Sequence, residues 1–263
     1  MGKSLYLEAA SGIAGDMFVA ALLDLGADRK ALDKALSSIP AKGFTVEIGR
    51  VQKAGIDCCD FNVILDKEHE NHDHDMAYLY GPLSEAREAV HEEHHHEEEG
   101  HHHEEEHHCH CHEEGHHHEE EEHHCHCHED HHHHDHGEGH HHHEHRHLKD
   151  VEAVIDGTDM TESARALAKK IFRIVAEAES KAHNLPIEEV HFHEVGAIDS
   201  IVDIISAAVC FDSLHIKNVI VPKLSEGRGT VRCQHGVLPV PVPATLNIVT
   251  AYHMPLEIMD AKG

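Results

Sequence analysis

Basic residues are scarce in this chain. It carries 21 Lys and Arg against 50 Asp and Glu in 263 residues, for a formal charge of −29. Such a surface disfavours nucleic acid and anionic membranes as partners and suits cations. Long apolar runs are missing too. No stretch approaches the roughly 18 apolar residues of a membrane span. Glu8 and Asp16 interrupt the only apolar stretch near the N-terminus, so a secretory signal is not expected. The start Met1-Gly2 is followed by Tyr at position 6, which breaks the myristoylation pattern. With no export signal, the eight cysteines read as reduced thiols of a cytoplasmic protein rather than as a disulfide framework.

The strongest absence is local. Residues 91–147 contain no aliphatic or aromatic hydrocarbon side chain. Their 57 positions hold 29 His, 19 Asp or Glu, four Cys, four Gly and one Arg. Nothing there can enter a core, so the segment reads as a solvated, disordered insert. It carries −18 of the net charge (19 acids less Arg146), leaving −11 on the rest. Imidazoles, carboxylates and thiols are the ligands of divalent transition metals. Glu99-Gly100-His101-His102-His103 recurs as Glu114-Gly115-His116-His117-His118. His107-His108-Cys109-His110-Cys111-His112 recurs as His123-His124-Cys125-His126-Cys127-His128. His107, His108, Cys109, Cys111, His123, His124, Cys125 and Cys127 are thus candidate metal-storage ligands. The spacing is not that of a rigid zinc finger, and it does not choose among nickel, copper, zinc and cobalt. A solubilising spacer is the competing reading.

The remaining 206 residues suffice for a sizeable domain. Periodicity predicts a buried strand at Ser4–Glu8 and helices from Asp16 to Leu25 and Arg29 to Ser37. Strands Phe44–Val51 and Ile56–Leu65 flank the turn Lys53-Ala54-Gly55. Beyond the insert, helices are expected at Leu148–Ile155, Thr161–His183 and Ala197–Leu214, with Pro186 ending the second. Asn218–Val221 and Thr230–Cys233 read as strands. Pro239, Pro241 and Pro243 impose extended backbone, and Pro243 opens a last helix through Val249. The expected class is α/β, a mixed sheet with flanking helices. Residues 1–68 and 148–263 form its two halves, and 69–147 are the metal-binding insert.

Three clusters carry candidate chemistry. The first is the turn Ser11-Gly12-Ile13-Ala14-Gly15-Asp16 before a helix. Its glycines and the helix N-terminus suit an anion such as phosphate, and Asp16 suits a cation. No Walker lysine is present. A tight turn with Asp16 as helix cap explains the pattern equally well. The second is the run from Val190 to Asp203. His191 and His193 in extended chain point to one face, Glu194 is adjacent, and Asp199 and Asp203 share a helix face. These five residues form the candidate metal site, against a surface His pair with Asp199 as cap. The third is Gly227-Arg228-Gly229-Thr230-Val231-Arg232-Cys233-Gln234-His235-Gly236. Its glycines and arginines suit a phosphate or carboxylate, and His235 is a candidate ligand or acid/base. A Gly-rich loop between strands is the plain alternative. Ser11, Gly12, Gly15, Asp16, Gly227, Arg228, Gly229 and His235 are therefore candidate substrate contacts.

Together these runs resemble the nickel insertion protein (LarC) family. The resemblance rests on Ser11-Gly12-Ile13-Ala14-Gly15-Asp16-Met17, on His191–Asp203, and on His235–Thr245 with its Leu238-Pro239-Val240-Pro241 core. A His-rich insert between the halves is also typical of the family. The resemblance implies a nickel chelatase of the lyase class. It implies nickel insertion into a pyridinium bisthiocarboxylate mononucleotide, giving the nickel-pincer cofactor of lactate racemase. It also implies dependence on CTP and on magnesium or manganese. Family members continue into a C-terminal domain to which CTP binding is assigned. This chain is accordingly expected to be the N-terminal part, with a C-terminal LarC polypeptide as partner and lactate racemase as indirect client. The competing function is a nickel store or metallochaperone, for which the insert alone would suffice.

Overall fold

The computed structural model describes residues 2–66, 146–192, 195–233 and 235–262. The repeats and storage ligands of the insert, together with His193 and Glu194, lie outside the described residues. In chain order the elements are β1 (Lys3–Tyr6), α1 (Gly15–Asp24), α2 (Arg29–Ser38), β2 (Phe44–Lys53) and β3 (Ile56–Leu65). After the insert come α3 (Leu148–Gly157), α4 (Glu162–His183), a 3-10 turn (Ile187–Glu189) and α5 (Ile198–Ser213). The chain then forms β4 (Ile216–Ile220), β5 (Leu224–Cys233), β6 (Gly236–Val240), α6 (Pro243–Ala251) and β7 (Leu256–Lys262). The class is α/β, but the strands divide among three small sheets rather than one.

β1 pairs in parallel with β4, Tyr6 opposite Ile220. The expected buried strand is in fact mostly exposed. Only Leu5 and Ile216 of this pair reach the core. β2 and β3 form an antiparallel hairpin closed by Ala54 and Gly55, both at positive φ (51° and 81°). That is the two-residue connection whose twist matches its strands. Arg50 of β2 bridges Asp24 at the end of α1 and Asp57 on β3. Asp24 Oδ2 also accepts from the Cys59 amide at 2.8 Å. That backbone hydrogen bond, with Arg50, holds the Asp24 carboxyl below its ordinary range.

The third sheet runs β6-β5-β7, with β5 antiparallel to β6 and parallel to β7. Thr230–Cys233 is a strand as expected, but the strand starts earlier, so Gly227–Gly229 are part of β5 rather than a loop between strands. Pro239 is accommodated because β6 is an edge strand, where no ladder donor is required of it.

α5 is the central helix. Ile201, Val202, Ile205, Ala208, Val209 and Cys210 are all buried. It packs against α1, α2, α4 and β3, which explains an apolar surface wider than one stripe. Burial pushes the Cys210 thiol up to about 12, so this cysteine is a core group, not a nucleophile. α4 starts at Thr161, whose side chain accepts from the Ala164 amide at 3.1 Å. It ends at His183 as expected, with Asn184 as C-cap in the left-handed conformation. Among the described residues no helix is long and apolar enough to cross a membrane.

Phe192 ties the His191 run to this core. It is 2% exposed, and its ring lies 6.0 Å from that of fully buried Phe172 on α4. Phe192→Ala removes a buried ring and leaves a cavity, at a cost of about 3–5 kcal/mol. Denaturant unfolding should show this as a lower midpoint with an unchanged slope.

Candidate functional site

The first cluster is a loop pressed between two other elements. Ala9 bridges Leu224 at the start of β5. Gly12 adopts φ +84°, close to the Ser225 carbonyl. Ala14, not Asp16, is the N-cap of α1, and it supplies no side-chain cap. Asp16 sits in the first turn and accepts from the Met17 amide at 2.7 Å. A carboxylate there is favoured by the helix dipole. Ser11 is exposed in the turn. Gly15 faces Asp203 of α5 closely: a Cβ added at Gly15 would lie 2.5 Å from Asp203 Oδ2 and 3.0 Å from its Cβ. Gly→Ala in a helix is normally stabilising by about 0.4–1 kcal/mol. At Gly15 the sign should reverse, because Asp203 would have to move. A lower melting temperature for Gly15→Ala checks this.

The second cluster is held by the chain as it leaves the insert. The Phe192 amide donates to the Arg146 carbonyl at 2.9 Å. Arg146 Nη1 donates to the Gly196 carbonyl at 2.7 Å. Gly196 has no room for a side chain, since a Cβ would lie 2.6 Å from that of Phe192. His147 Nδ1 lies 3.1 Å from the Val190 carbonyl, and its ring centre is 4.1 Å from that of His191. A carbonyl at Nδ1 selects the tautomer with the proton there, leaving Nε2 with its lone pair. Asp199 accepts from the Ser200 amide at 2.8 Å, while Ala197 is the N-cap of α5. Asp199 and Asp203 stand one turn apart, and Asp203 faces Gly15.

The third cluster divides. Arg228 on β5 pairs with Asp260 of β7. Gly229 adopts φ +105° within the strand. His235 lies in the tight connection from β5 to β6, with Nδ1 3.9 Å from Cys233 Sγ.

A cleft of about 210 Å³ joins the second and third clusters. His191 and His235 both line it, and so do Glu179 and His183 from the C-terminal end of α4. Leu238 and Val242 are part of its apolar wall. The rings of His183 and His235 lie 4.7 Å apart, inclined by 36°. His183 Nε2 is 3.5 Å from Glu179 Oε2. Burial, then the neighbouring His183, holds His235 below the ordinary imidazole range, while Glu179 pulls it the other way. His235 is therefore neutral, with a lone pair to offer, at neutral pH.

The structure thus brings His191 and His235 together from sequence-distant runs. Asp16, Asp199 and Asp203 do not line this cleft. Glu179, His183, Cys233 and His147 were not foreseen as site residues. The i, i+4 spacing of Glu179 and His183 was a usable signal, hidden by the apolar stripe of the same helix. Among the described residues, no group of three or more His, Cys, Asp or Glu side chains already surrounds a point where a metal ion could sit. The cleft offers apolar lining for a planar ligand together with imidazoles, a carboxylate and a thiol.

Comparison with known proteins bears on this arrangement. A family model described as nickel insertion protein matches residues 5–262. A protein of Alkaliphilus metalliredigens named pyridinium-3,5-bisthiocarboxylic acid mononucleotide nickel insertion protein is 44% identical over 263 residues. That match covers 100% of this chain and 49% of the relative. A Geobacillus kaustophilus protein of the same name is 33% identical, over 99% of this chain and 49% of its own length. One from Lactiplantibacillus plantarum is 34% identical, over 97% and 48%. The chain spans about half the length of these curated relatives. No solved structure matches it.

Proposed function

The chain belongs to the nickel insertion protein family, and from that premise we propose that it contributes the metal-handling part of a nickel chelatase. The substrate is a pyridinium bisthiocarboxylate mononucleotide, the compound that the relatives' names specify. The product is its nickel complex, the nickel-pincer cofactor of lactate racemase, which makes that enzyme an indirect client. One observation supports this reading above the others. His191 and His235, 44 positions apart in sequence, line one cleft with an apolar wall suited to a flat ring. His191, His193, Glu194, Asp199 and Asp203 are the residues we assign to holding nickel near that substrate. The Ser11–Asp16 turn suits the substrate phosphate. Free thiols at Cys58, Cys59 and Cys210 suit a reducing, cytoplasmic setting.

CTP and a magnesium or manganese ion belong to the reaction by family resemblance. The described residues do not fit a nucleoside triphosphate. Arg228, the expected phosphate ligand, is engaged by Asp260, and the glycines around it are strand residues. We place CTP use in the part of the relatives that this chain does not span, and derive no step through it here. A polypeptide carrying that part is the expected partner.

The alternative is nickel storage or delivery, for which the insert would be enough. The two readings part in one assay. The chain is supplied with nickel, the pyridinium dithioacid nucleotide and CTP, with and without the remaining polypeptide. Formation of the nickel complex, followed by absorbance and mass, supports the chelatase. Nickel binding with no complex formed in either case supports storage.

A further inference from the structure

Around the His183–His235 contact, most neighbouring side chains stand at or near ligand spacing. A carboxylate oxygen and an imidazole nitrogen that share one ion sit about 3.0–3.5 Å apart. Glu179 Oε2 and His183 Nε2 are 3.5 Å apart. With metal–nitrogen bonds of about 2.0–2.1 Å, two imidazoles on one ion have ring centres roughly 4.5–5.2 Å apart. The centres of His183 and His235 are 4.7 Å apart. Cys233 Sγ is 3.9 Å from His235 Nδ1, a little wider than two ligands of a tetrahedral ion. The pairs come from separate elements, the end of α4 and the β5–β6 connection, and both form part of the cleft wall.

We propose that Glu179, His183 and His235, with Cys233 as a fourth donor, form a divalent transition-metal site in this cleft, separate from the His191–Asp203 set. As the side chains stand they are one ligand-spaced pair and one wider pair rather than a closed shell. Closing the shell takes rotation of partly exposed side chains: those of Glu179 and His183 are 24% and 32% exposed. Two imidazoles, one carboxylate and one thiolate suit borderline ions such as nickel or zinc, and disfavour magnesium or calcium. His191 lines the same cleft. An ion held there stands beside the place proposed for the substrate ring. The plain reading of the same residues is a helical ion pair with a ring contact, which would give little stabilisation and no metal affinity. Only the identity of the ion as nickel rests on the chelatase reading; the ligand set does not.

The test uses the full chain and nickel(II) chloride, titrated past the capacity of the His-rich insert. Imidazole reactivity toward diethyl pyrocarbonate and thiol reactivity toward iodoacetamide are read peptide by peptide by mass spectrometry. His183, His235 and Cys233 should become protected together, with one shared nickel midpoint. Glu179→Gln should move that midpoint up by about tenfold or more, leaving protection of residues 91–145 unchanged. His183 and His235 reacting at a nickel-independent rate while the insert is protected would overturn the site. So would unrelated midpoints, or a midpoint indifferent to Glu179→Gln. Failure of the turnover assay with this footprint intact would remove the chelatase reading and keep the site.

Discussion

Removing residues 92–145 and joining the ends with a Gly/Ser linker is expected to leave a cooperative unfolding transition and to strip away most of the bound nickel. The deleted stretch holds no hydrocarbon side chain, so no apolar burial is lost with it. The deletion must stop short of Arg146. The Arg146 carbonyl accepts from Phe192, and its guanidinium donates to the Gly196 carbonyl, so this residue fixes the His191 run. His147 then opens α3, its amide donating to Asp150 Oδ2 at 2.9 Å. Nickel stoichiometry, in contrast, should collapse, because 27 of the 38 histidines go with residues 92–145. Loss of the cooperative melt would contradict this account. Metal held by the intact insert should also be proton-linked. Imidazole must be neutral to ligate, and free His titrates near ~6.5. Lowering the pH from about 7.5 to about 5.5 should therefore release most of it. Retention through that window would show that the four thiols, not the imidazoles, dominate.

Elements whose pattern matches their burial were legible in the sequence. β3 falls on Ile56–Leu65 as expected, and α4 differs by one residue at its start. The turn was expected at Lys53-Ala54-Gly55; pairing of Lys53 with Ile56 narrows it to Ala54-Gly55. What was missed depends on partners distant in sequence. β5 begins at Leu224, six residues before the expected Thr230, because Ser225–Gly229 lacks apolar alternation and gains strand geometry by pairing with β7. β7 has a similarly mixed pattern and was not foreseen. The site divides in the same way. His191 stood out in a run of ligand-type residues. Glu179 and His183 did not, because an apolar stripe explains α4 without them. The contact of Gly15 with Asp203 spans 188 positions and leaves no local signature. It links two runs that the resemblance treats as separate.

On the proposed reading, nickel is positioned by His191 and its neighbours beside a bound substrate, while the insert collects it. Insertion needs an ion at a fixed place. His191 provides one fixed imidazole, since its neighbour Phe192 is locked in the core against Phe172 and its ring is backed by His147. His193 is assigned as the second. Replacing both with alanine removes these ligands and keeps Phe192, the core anchor between them. Productive insertion should then fall to background, even though nearly all the nickel-binding capacity of the insert remains. The decisive measurement is turnover of the His191→Ala, His193→Ala variant, complemented by the remaining polypeptide and CTP, with nickel in excess so that collection by the insert cannot limit the rate. The account predicts no nickel complex from a variant whose unfolding midpoint matches that of the parent chain. Turnover at the parental rate would contradict it and shift the site to His235 and Asp16.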